Sequence, residues 1–188
     1  MLIAFVAPKQ YGKSTACNIL KQYWGDDVVQ INFKDALINE LKHNFPDLLQ
    51  EVLRKENEWR FECGEAEITI DDLFIIKPPL IRTLMQNYGT EVRRGDKDSY
   101  WVDQWAGALA SSTAEYILTD DVRFINEAQE IKENGGILIR LNRTDKTSTD
   151  THSSETEQAG IKCDYTITVG EGEFTELEYQ LKLIVDSL

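Results

Sequence analysis

Short apolar runs alternate with longer amphipathic stretches along the chain. Five runs have the length and composition of buried strands: residues 2–6, 28–33, 116–119, 137–141 and 165–169. Apolar positions recur with a helical period in residues 13–24, 34–43, 46–57, 78–88, 99–114, 126–134 and 173–188. Because strands alternate with helices, the pattern predicts an α/β fold built on a parallel sheet with right-handed crossovers.

Local signals suggest where some of these helices begin and end. Gly89 is expected to end the helix that Pro78 and Pro79 begin, and Asn126 is expected to cap the helix that follows it. Residues 58–76 fit either a strand or a helix. The stretch from about 45 to 98 is too long for a single crossover, so we expect an inserted, mostly helical subdomain there.

Charge and composition narrow the class of function. The chain of 188 residues has 20 Lys and Arg against 33 Asp and Glu, a net charge of −13 that disfavours direct binding of nucleic acid. No apolar run approaches the roughly 20 residues that span a bilayer. The three cysteines show neither disulfide nor metal-site spacing. These features predict a cytoplasmic protein with reduced thiols and no membrane contact.

A phosphate-binding loop is the sharpest signal in the sequence. Residues 7–14, APKQYGKS, match the Walker A pattern except that Ala7 replaces its first glycine. The motif follows a buried strand and precedes a helix, as a loop that cradles phosphate requires. We therefore expect a P-loop NTPase fold, with a hydroxyl for Mg²⁺ at Ser14. The residues expected to bind ATP here are Lys9, Tyr11, Gly12, Lys13, Ser14 and Thr15.

A second acidic element follows the strand at 116–119. This strand leads directly into Asp120 and Asp121, and in a parallel sheet its carboxyl end lies at the same edge as the phosphate loop. Either carboxylate could hold Mg²⁺, directly or through water. Arg123 and Glu127 lie on the turn between this strand and the next helix. Asp121 and Glu127 could contact metal, base or an arginine, and the sequence does not divide these roles.

The turn that begins at Asp121 resembles that of the phage deoxynucleoside monophosphate (dNMP) kinases. Its sequence is DVRFINE, followed by a helix, two glycines and a strand that contains Arg140. Other segments are similar to the same family, in the family's order: FKDAL at 33–37, RTLMQNYGTE at 82–91, YWV at 100–102 and HSSE at 152–155. Together these motifs cover most of the chain.

The resemblance implies a three-layer P-loop fold, with a five-stranded parallel sheet flanked by helices. It would comprise a core (1–44, 99–141 and 159–188), an inserted helical subdomain that binds the monophosphate (about 45–98) and a small lid (about 142–158). It further implies transfer of the γ-phosphoryl group of ATP, or of dATP, to a dNMP, with Mg²⁺. The product would supply DNA synthesis in the cytoplasm, which is that of the host if a phage encodes the protein. The protein could form a homodimer.

The resemblance also implies roles for particular residues. The expected catalytic residues are Lys13, Arg82, Arg123 and Asp121. The expected dNMP-binding residues are Phe33, Lys34, Arg82, Gln86, Gly89, Thr90, Trp101, Asp121, Arg123 and Glu127. Arg140 and Arg143, beside the lid, would bind ATP, and the metal would be held by Ser14 with Asp120 or Asp121. Trp101 could exclude a 2′-hydroxyl; its alternative is a core residue packed with Trp105.

Three other functions compete with this prediction. A ribonucleoside monophosphate kinase or a dephospho-coenzyme A kinase would use the same donor chemistry with a different acceptor region. A regulatory module would bind ATP and hydrolyse it slowly, without an acceptor. A Ras-like GTPase is disfavoured because the chain has no NKxD motif for guanine.

Overall fold

The computed structural model describes residues 1–145 and 153–188. These residues form two compact units: Met1–Phe33 together with Val102–Leu188, and Lys34–Trp101. We call them the sheet unit and the helical unit. Binding of a monophosphate by the stretch at about 45–98 stays a prediction. Within the described ranges, no helix combines the length and apolar character needed to cross a bilayer.

The sheet unit contains a parallel sheet of five strands. In chain order these are β1 (Leu2–Val6), β2 (Val28–Gln30), β3 (Tyr116–Thr119), β4 (Ile137–Arg143) and β5 (Tyr165–Val169). Their order across the sheet is β2-β3-β1-β4-β5, and every neighbouring pair is parallel. All five residues of β1 are buried, as its apolar sequence and central position require. The predicted α/β fold with a five-stranded parallel sheet is confirmed.

Helices connect these strands and build the helical unit. The described residues form α1 (Lys13–Trp24), α2 (Phe33–Asn44), α3 (Pro46–Glu62), α4 (Ile70–Ile76), α5 (Pro79–Gln86), α6 (Tyr100–Ser111), α7 (Ile125–Glu133), α8 (Ser153–Gly160) and α9 (Phe174–Asp186). A π-helix at Asn87–Arg94 follows α5 directly.

Two apolar layers cover the two faces of the sheet. Alternate residues of a strand point to opposite faces, so Ile3 and Phe5 of β1 join one cluster while Leu2 and Ala4 join the other. The first cluster contains apolar residues of α1 and α9, and the second contains those of α6 and α7. This arrangement gives the sheet unit the three layers that the sequence predicts.

The helical unit has its own core, to which residues 58–76 contribute helical segments. Leu41, Leu49, Leu73 and Ile81 are almost fully buried in it, and they come from four different helices. The ambiguous stretch contains the end of α3 and all of α4. A capping box opens α4: the Thr69 backbone N–H donates to Asp72 Oδ2 at 2.8 Å.

Three local expectations were wrong. Gly89 does not end a helix, because α5 continues without a break into the π-helix. Asn126 does not cap α7, which begins at Ile125 after Phe124. The second strand stops at Gln30, and Phe33 begins α2. For α7, the Glu127 carboxylate bonds the amides of Arg123 and Phe124 and so places the start of the helix before Asn126.

Candidate functional site

The phosphate loop lies between β1 and α1. It ends at Gly12, which precedes α1 with a φ of +91°, in the left-handed region that favours glycine. A glycine at this position has no side chain that could accept from the first-turn N–H groups. This is the arrangement by which a helix N-terminus binds phosphate through its backbone. Ala7 is fully buried at the exit of β1, so its departure from the motif is accommodated in the core.

The lysine of the motif lies against its own loop. Lys13 Nζ donates hydrogen bonds to the carbonyl oxygens of Ala7 and, at 2.9 Å, of Pro8. This contact holds a positive charge beside the N-terminus of α1. Of the other residues expected to bind ATP, Lys9 is exposed, Tyr11 is buried and Thr15 is half-buried.

The hydroxyl of Ser14 meets the first carboxylate after β3. Ser14 Oγ donates to Asp120 Oδ2 at 3.2 Å. Asp120 is buried, with 6% of its surface exposed. A hydroxyl beside a carboxylate is an oxygen donor set suited to Mg²⁺, which takes few protein ligands and completes its shell with water and phosphate oxygens. The part of the chain that the structure describes contains no cluster of three His, Cys, Asp or Glu residues that could hold a metal alone.

The second carboxylate has a different neighbour. Asp121 Oδ1 accepts a hydrogen bond at 3.1 Å from the backbone N–H of Phe33, the first residue of α2. A carboxylate at this position satisfies one of the unpaired amides of a helix N-terminus. The Phe33 ring is buried and stacks on Trp105, with 5.0 Å between the ring centroids. The structure therefore places Asp120 beside Ser14 and Asp121 beside the start of α2.

Glu127 acts on the turn between β3 and α7. Its Oε2 accepts from the backbone N–H groups of Arg123, at 2.7 Å, and Phe124, at 3.1 Å. The Glu127 side chain is 4% exposed. A buried carboxylate that accepts two amides supports the start of α7 and sets the backbone that carries Arg123. The Arg123 side chain itself is half-buried.

Sequence reasoning missed two buried amides at this turn. Asn32 Oδ1 accepts from the backbone N–H of Asp120 at 3.0 Å, and Gln158 Nε2 donates to the Val122 carbonyl at 2.8 Å. A polar residue inside the apolar run at 28–33 was a usable signal for Asn32. Gln158 gave no such signal, because it lies in a polar stretch and contacts a residue 36 positions away.

Arg140 and Arg143 both have protein partners. Arg140 Nη2 donates to the carbonyl oxygens of Gln158, at 3.2 Å, and Ile161, at 2.6 Å, near the end of α8. Arg143 makes a two-pronged ion pair with Asp145, with both contacts at 2.8 Å. The hydrogen bonds to Asp145 raise the pKa of Arg143 above its usual value. Their predicted roles with ATP stay predictions.

The helical unit contains the remaining predicted residues. Arg82 is half-buried on α5, and its guanidinium makes no hydrogen bond or ion pair with another described residue. Gly89 and Thr90 lie in the π-helix, Gln86 is exposed at the end of α5, and Lys34 is half-buried in the first turn of α2. π-Helical turns are rare and often occur at functional sites.

Trp101 is part of the core of the helical unit. Only 4% of it is exposed, and its indole Nε1 donates to the Gly89 carbonyl at 2.9 Å. A Cβ at Gly89 would lie 3.2 Å from Leu37 Cδ2, so glycine allows the π-helix to approach α2 closely. This placement favours the interpretation of Trp101 as a core residue that supports Gly89. Exclusion of a 2′-hydroxyl by its ring stays a prediction.

A polar cluster that the sequence did not reveal lies in the helical unit. The Glu40 carboxylate accepts hydrogen bonds from Tyr88 at 3.0 Å, from Arg93 Nε at 2.8 Å and from Tyr100. The Arg93 guanidinium also lies over the rings of Tyr88 and Tyr100. Burial would raise the pKa of Glu40, but the hydrogen bonds from Tyr100, Tyr88 and Arg93 outweigh it and lower that pKa. The cluster ties α2 to both ends of the segment that contains Gly89 and Thr90.

Part of the predicted lid lies outside the described residues. This part is 146–152, and it includes His152 of the HSSE segment. On either side of it the structure shows the end of β4 and the helix α8.

The chain is similar to several known proteins. The family model described as deoxynucleotide monophosphate kinase matches residues 27–180. A protein of Acanthamoeba polyphaga mimivirus, provisionally named a deoxynucleotide monophosphate kinase, is 28% identical over an alignment covering 100% of this chain and 97% of that protein. The crystal structure of TT1252 from Thermus thermophilus aligns over 100% of this chain and 97% of its own, at 14% identity and a TM-score of 0.46.

Proposed function

The chain belongs to the deoxynucleotide monophosphate kinase family, and from this premise we propose that it transfers the γ-phosphoryl group of ATP to a deoxynucleoside monophosphate, giving the diphosphate and ADP. Membership of the family makes it a phosphotransferase acting on nucleotides. The observation that carries the specific proposal is the contact between Ser14 and Asp120, because it joins the phosphate loop to a carboxylate beside a helix N-terminus.

On the donor side, the phosphate loop would bind ATP. The N–H groups around Gly12 and the charge of Lys13 suit the β- and γ-phosphates. Ser14 and Asp120 would hold Mg²⁺, which when bound neutralises charge on the phosphate oxygens. Lys13 would exchange its contacts with Ala7 and Pro8 for contacts with phosphate. The proposal includes dATP as an alternative donor.

On the acceptor side, the proposed phosphate ligands are Arg82 and Arg123. A guanidinium donates two parallel hydrogen bonds to phosphate oxygens, which fixes the orientation of the group. Arg82 suits this role because it is half-buried and makes no ion pair with another described residue. The second pKa of a phosphate monoester is about 6, so the acceptor is mostly a dianion at neutral pH and needs no strong general base.

The other residues predicted for the acceptor site form two groups: those that would contact the nucleotide and those that would support the contacting residues. We propose that Lys34, Gln86 and Thr90 contact the nucleotide. The supporting residues are Phe33, Gly89, Trp101, Asp121 and Glu127, each of which is buried. They would act by fixing the backbone segments from which the contacting residues extend. The reaction would supply precursors for DNA synthesis in the cytoplasm, which is that of the host if a phage encodes the protein.

An assay of ADP release tests this proposal. The purified protein is supplied with ATP, Mg²⁺ and each of the eight common ribo- and deoxynucleoside monophosphates in turn. We expect ADP only when a deoxynucleotide acceptor is present, and at least a hundredfold loss for Lys13→Ala. Lys21→Ala is the matched control, since Lys21 lies on the same helix and bonds Gln30.

The same assay separates the alternatives. ADP release that depends on ribonucleotides alone would indicate a ribonucleoside monophosphate kinase. Release that no monophosphate changes would indicate a regulatory ATPase. No release with any of the eight monophosphates, while added dephospho-coenzyme A supports turnover, would indicate a dephospho-coenzyme A kinase.

A further inference from the structure

The buried polar side chains of this protein are concentrated at one turn. Among the described residues, the buried polar and charged side chains are Asn32, Arg94, Thr119, Asp120, Asp121, Glu127 and Gln158. All except Arg94 belong to the turn that follows β3 or contact residues beside it. Burying a polar group is costly unless it is hydrogen-bonded, so these side chains are expected to have specific partners at this turn.

The turn at residues 120–124 has no regular secondary structure to hold it. Side chains hold its peptide groups instead. Asn32 accepts from the Asp120 N–H, Glu127 accepts from the N–H groups of Arg123 and Phe124, and Gln158 donates to the Val122 carbonyl. These bonds fix the backbone on both sides of Asp121.

Gln158 differs from the other two because it donates to a carbonyl, whereas Asn32 and Glu127 accept from backbone N–H groups. It lies on α8, and only 2% of its surface is exposed. Its backbone carbonyl accepts from Arg140, which also bonds the Ile161 carbonyl. Arg140 thus anchors the end of α8 to β4, and the Gln158 side chain links α8 to the Val122 carbonyl. An apolar side chain of similar volume would fill the same space but could not donate to the Val122 carbonyl.

We propose that Gln158 is a positioning residue of the phosphoryl transfer. By holding the Val122 carbonyl it fixes the backbone between Asp121 and Arg123, and so the position from which the Arg123 guanidinium reaches the phosphate. Arg140 supports it from β4. This inference rests on the proposed function, in which Arg123 binds the transferring or accepting phosphate. Small displacements of such a group slow the reaction, since a misplacement of about 1 Å lowers the rate about a hundredfold.

Two substitutions at Gln158 test the proposal. Gln158→Met keeps the volume and removes the donor, and we expect kcat to fall by about 10–100-fold with little change in the KM for ATP. Gln158→Glu places a buried carboxyl opposite the Val122 carbonyl, and burial raises the pKa of such a group. Only its protonated form donates, so the kcat of this variant relative to wild type should rise as the pH falls from 8 to about 6.

The controls use Gln129, an exposed glutamine on α7 that bonds Glu133 at the surface. Gln129→Met and Gln129→Glu should leave kcat and its pH profile as in wild type. Circular dichroism and a thermal melt establish that each variant is folded at the assay temperature. Should Gln158→Met fail to fold, the pH dependence of Gln158→Glu carries the test.

Hydrogen exchange distinguishes failure of this proposal from failure of the proposed function. We expect the amides of Arg123 and Phe124 to exchange faster in Gln158→Met than in wild type, because the turn opens more readily. An unchanged kcat or an unchanged exchange rate at these amides would overturn the positioning role. A wild-type protein that phosphorylates no dNMP would refute the proposed function, and the exchange rates would still show whether Gln158 holds the turn.

Discussion

Ser14 Oγ donates a hydrogen bond to Asp120 Oδ2 at 3.2 Å, although 106 positions separate the two residues in the chain. The parallel sheet brings the two residues to the same edge. Strand β1 leads into the phosphate loop, and β3, which pairs with β1, leads into Asp120. Because parallel neighbours end at the same edge of a sheet, the two loops meet there. The contact identifies Asp120 as the carboxylate that bonds Ser14, whereas the sequence left Asp120 and Asp121 equivalent.

The first prediction concerns Asp120 and the metal. Asp120→Asn should reduce kcat by at least about 100-fold and raise the Mg²⁺ concentration that gives half of the maximal rate, because an amide oxygen is a much poorer ligand than a carboxylate. The measurement is a titration of Mg²⁺ at saturating ATP and dNMP. Asp164→Asn, at a carboxylate that pairs with Lys132, is the control and should leave the Mg²⁺ dependence unchanged.

The second prediction concerns Asp121 and stability. Asp121→Ala should lower the free energy of unfolding by about 0.5–2 kcal/mol, since it leaves the Phe33 amide without its acceptor at the start of α2. Urea denaturation followed by circular dichroism measures the change. The half-maximal Mg²⁺ concentration should stay near that of wild type. A large increase in that concentration with no loss of stability would instead assign the metal to Asp121.

The third prediction concerns Gly136, which follows α7. A Cβ there would lie 2.6 Å from Ile131 Cγ2 and 2.8 Å from the Ile131 carbonyl, closer than side chains normally approach. Gly136→Ala should therefore lower the free energy of unfolding by about 1–3 kcal/mol. Gly107→Ala is the matched control, because Gly107 lies inside α6 with no atom near a Cβ, and it should stabilise the protein by about 0.5–1 kcal/mol. Equal effects of the two substitutions would contradict the steric argument.

The sequence predicted what depends on periodicity and missed which side chains bond the backbone of the turns. The apolar runs were sufficient for all five strands, and the motif at Gly12 placed the phosphate loop between β1 and α1. The N-terminus of α7 was misplaced because Glu127 reaches back to the amides of Arg123 and Phe124, and this outweighs the capping preference of Asn126.

Other features of the site have no local signal at all. The bond from Gln158 to Val122 depends on how α8 packs beside the turn, and the sequence around either residue does not predict it. The same holds for Glu40, whose partners Tyr88, Arg93 and Tyr100 lie 48 to 60 positions further along the chain. Periodicity identifies which faces of the elements are buried, but it does not identify which buried polar groups meet.

The last prediction concerns Glu40 and pH. Its carboxylate is bonded by two tyrosines and Arg93, and its pKa is lowered on folding from the unfolded value of about 4.5. A carboxyl group whose pKa is lower in the folded state stabilises the protein above the unfolded pKa, and this contribution is lost as the pH falls through the folded pKa. Glu40→Gln should therefore lower the free energy of unfolding at pH 7 by about 1–3 kcal/mol.

The stability difference between wild type and Glu40→Gln should shrink below about pH 4.5, because wild type then loses the same charge by protonation. Urea denaturation at pH 7, 5 and 4 measures it. Glu51→Gln is the control: Glu51 pairs with Lys55 at 2.6 Å, but both side chains are more than half exposed, so the change should be slight at every pH. A difference for Glu40→Gln that stays constant down to pH 4 would mean that the shape of the side chain, and not its charge, holds Tyr88, Arg93 and Tyr100 together.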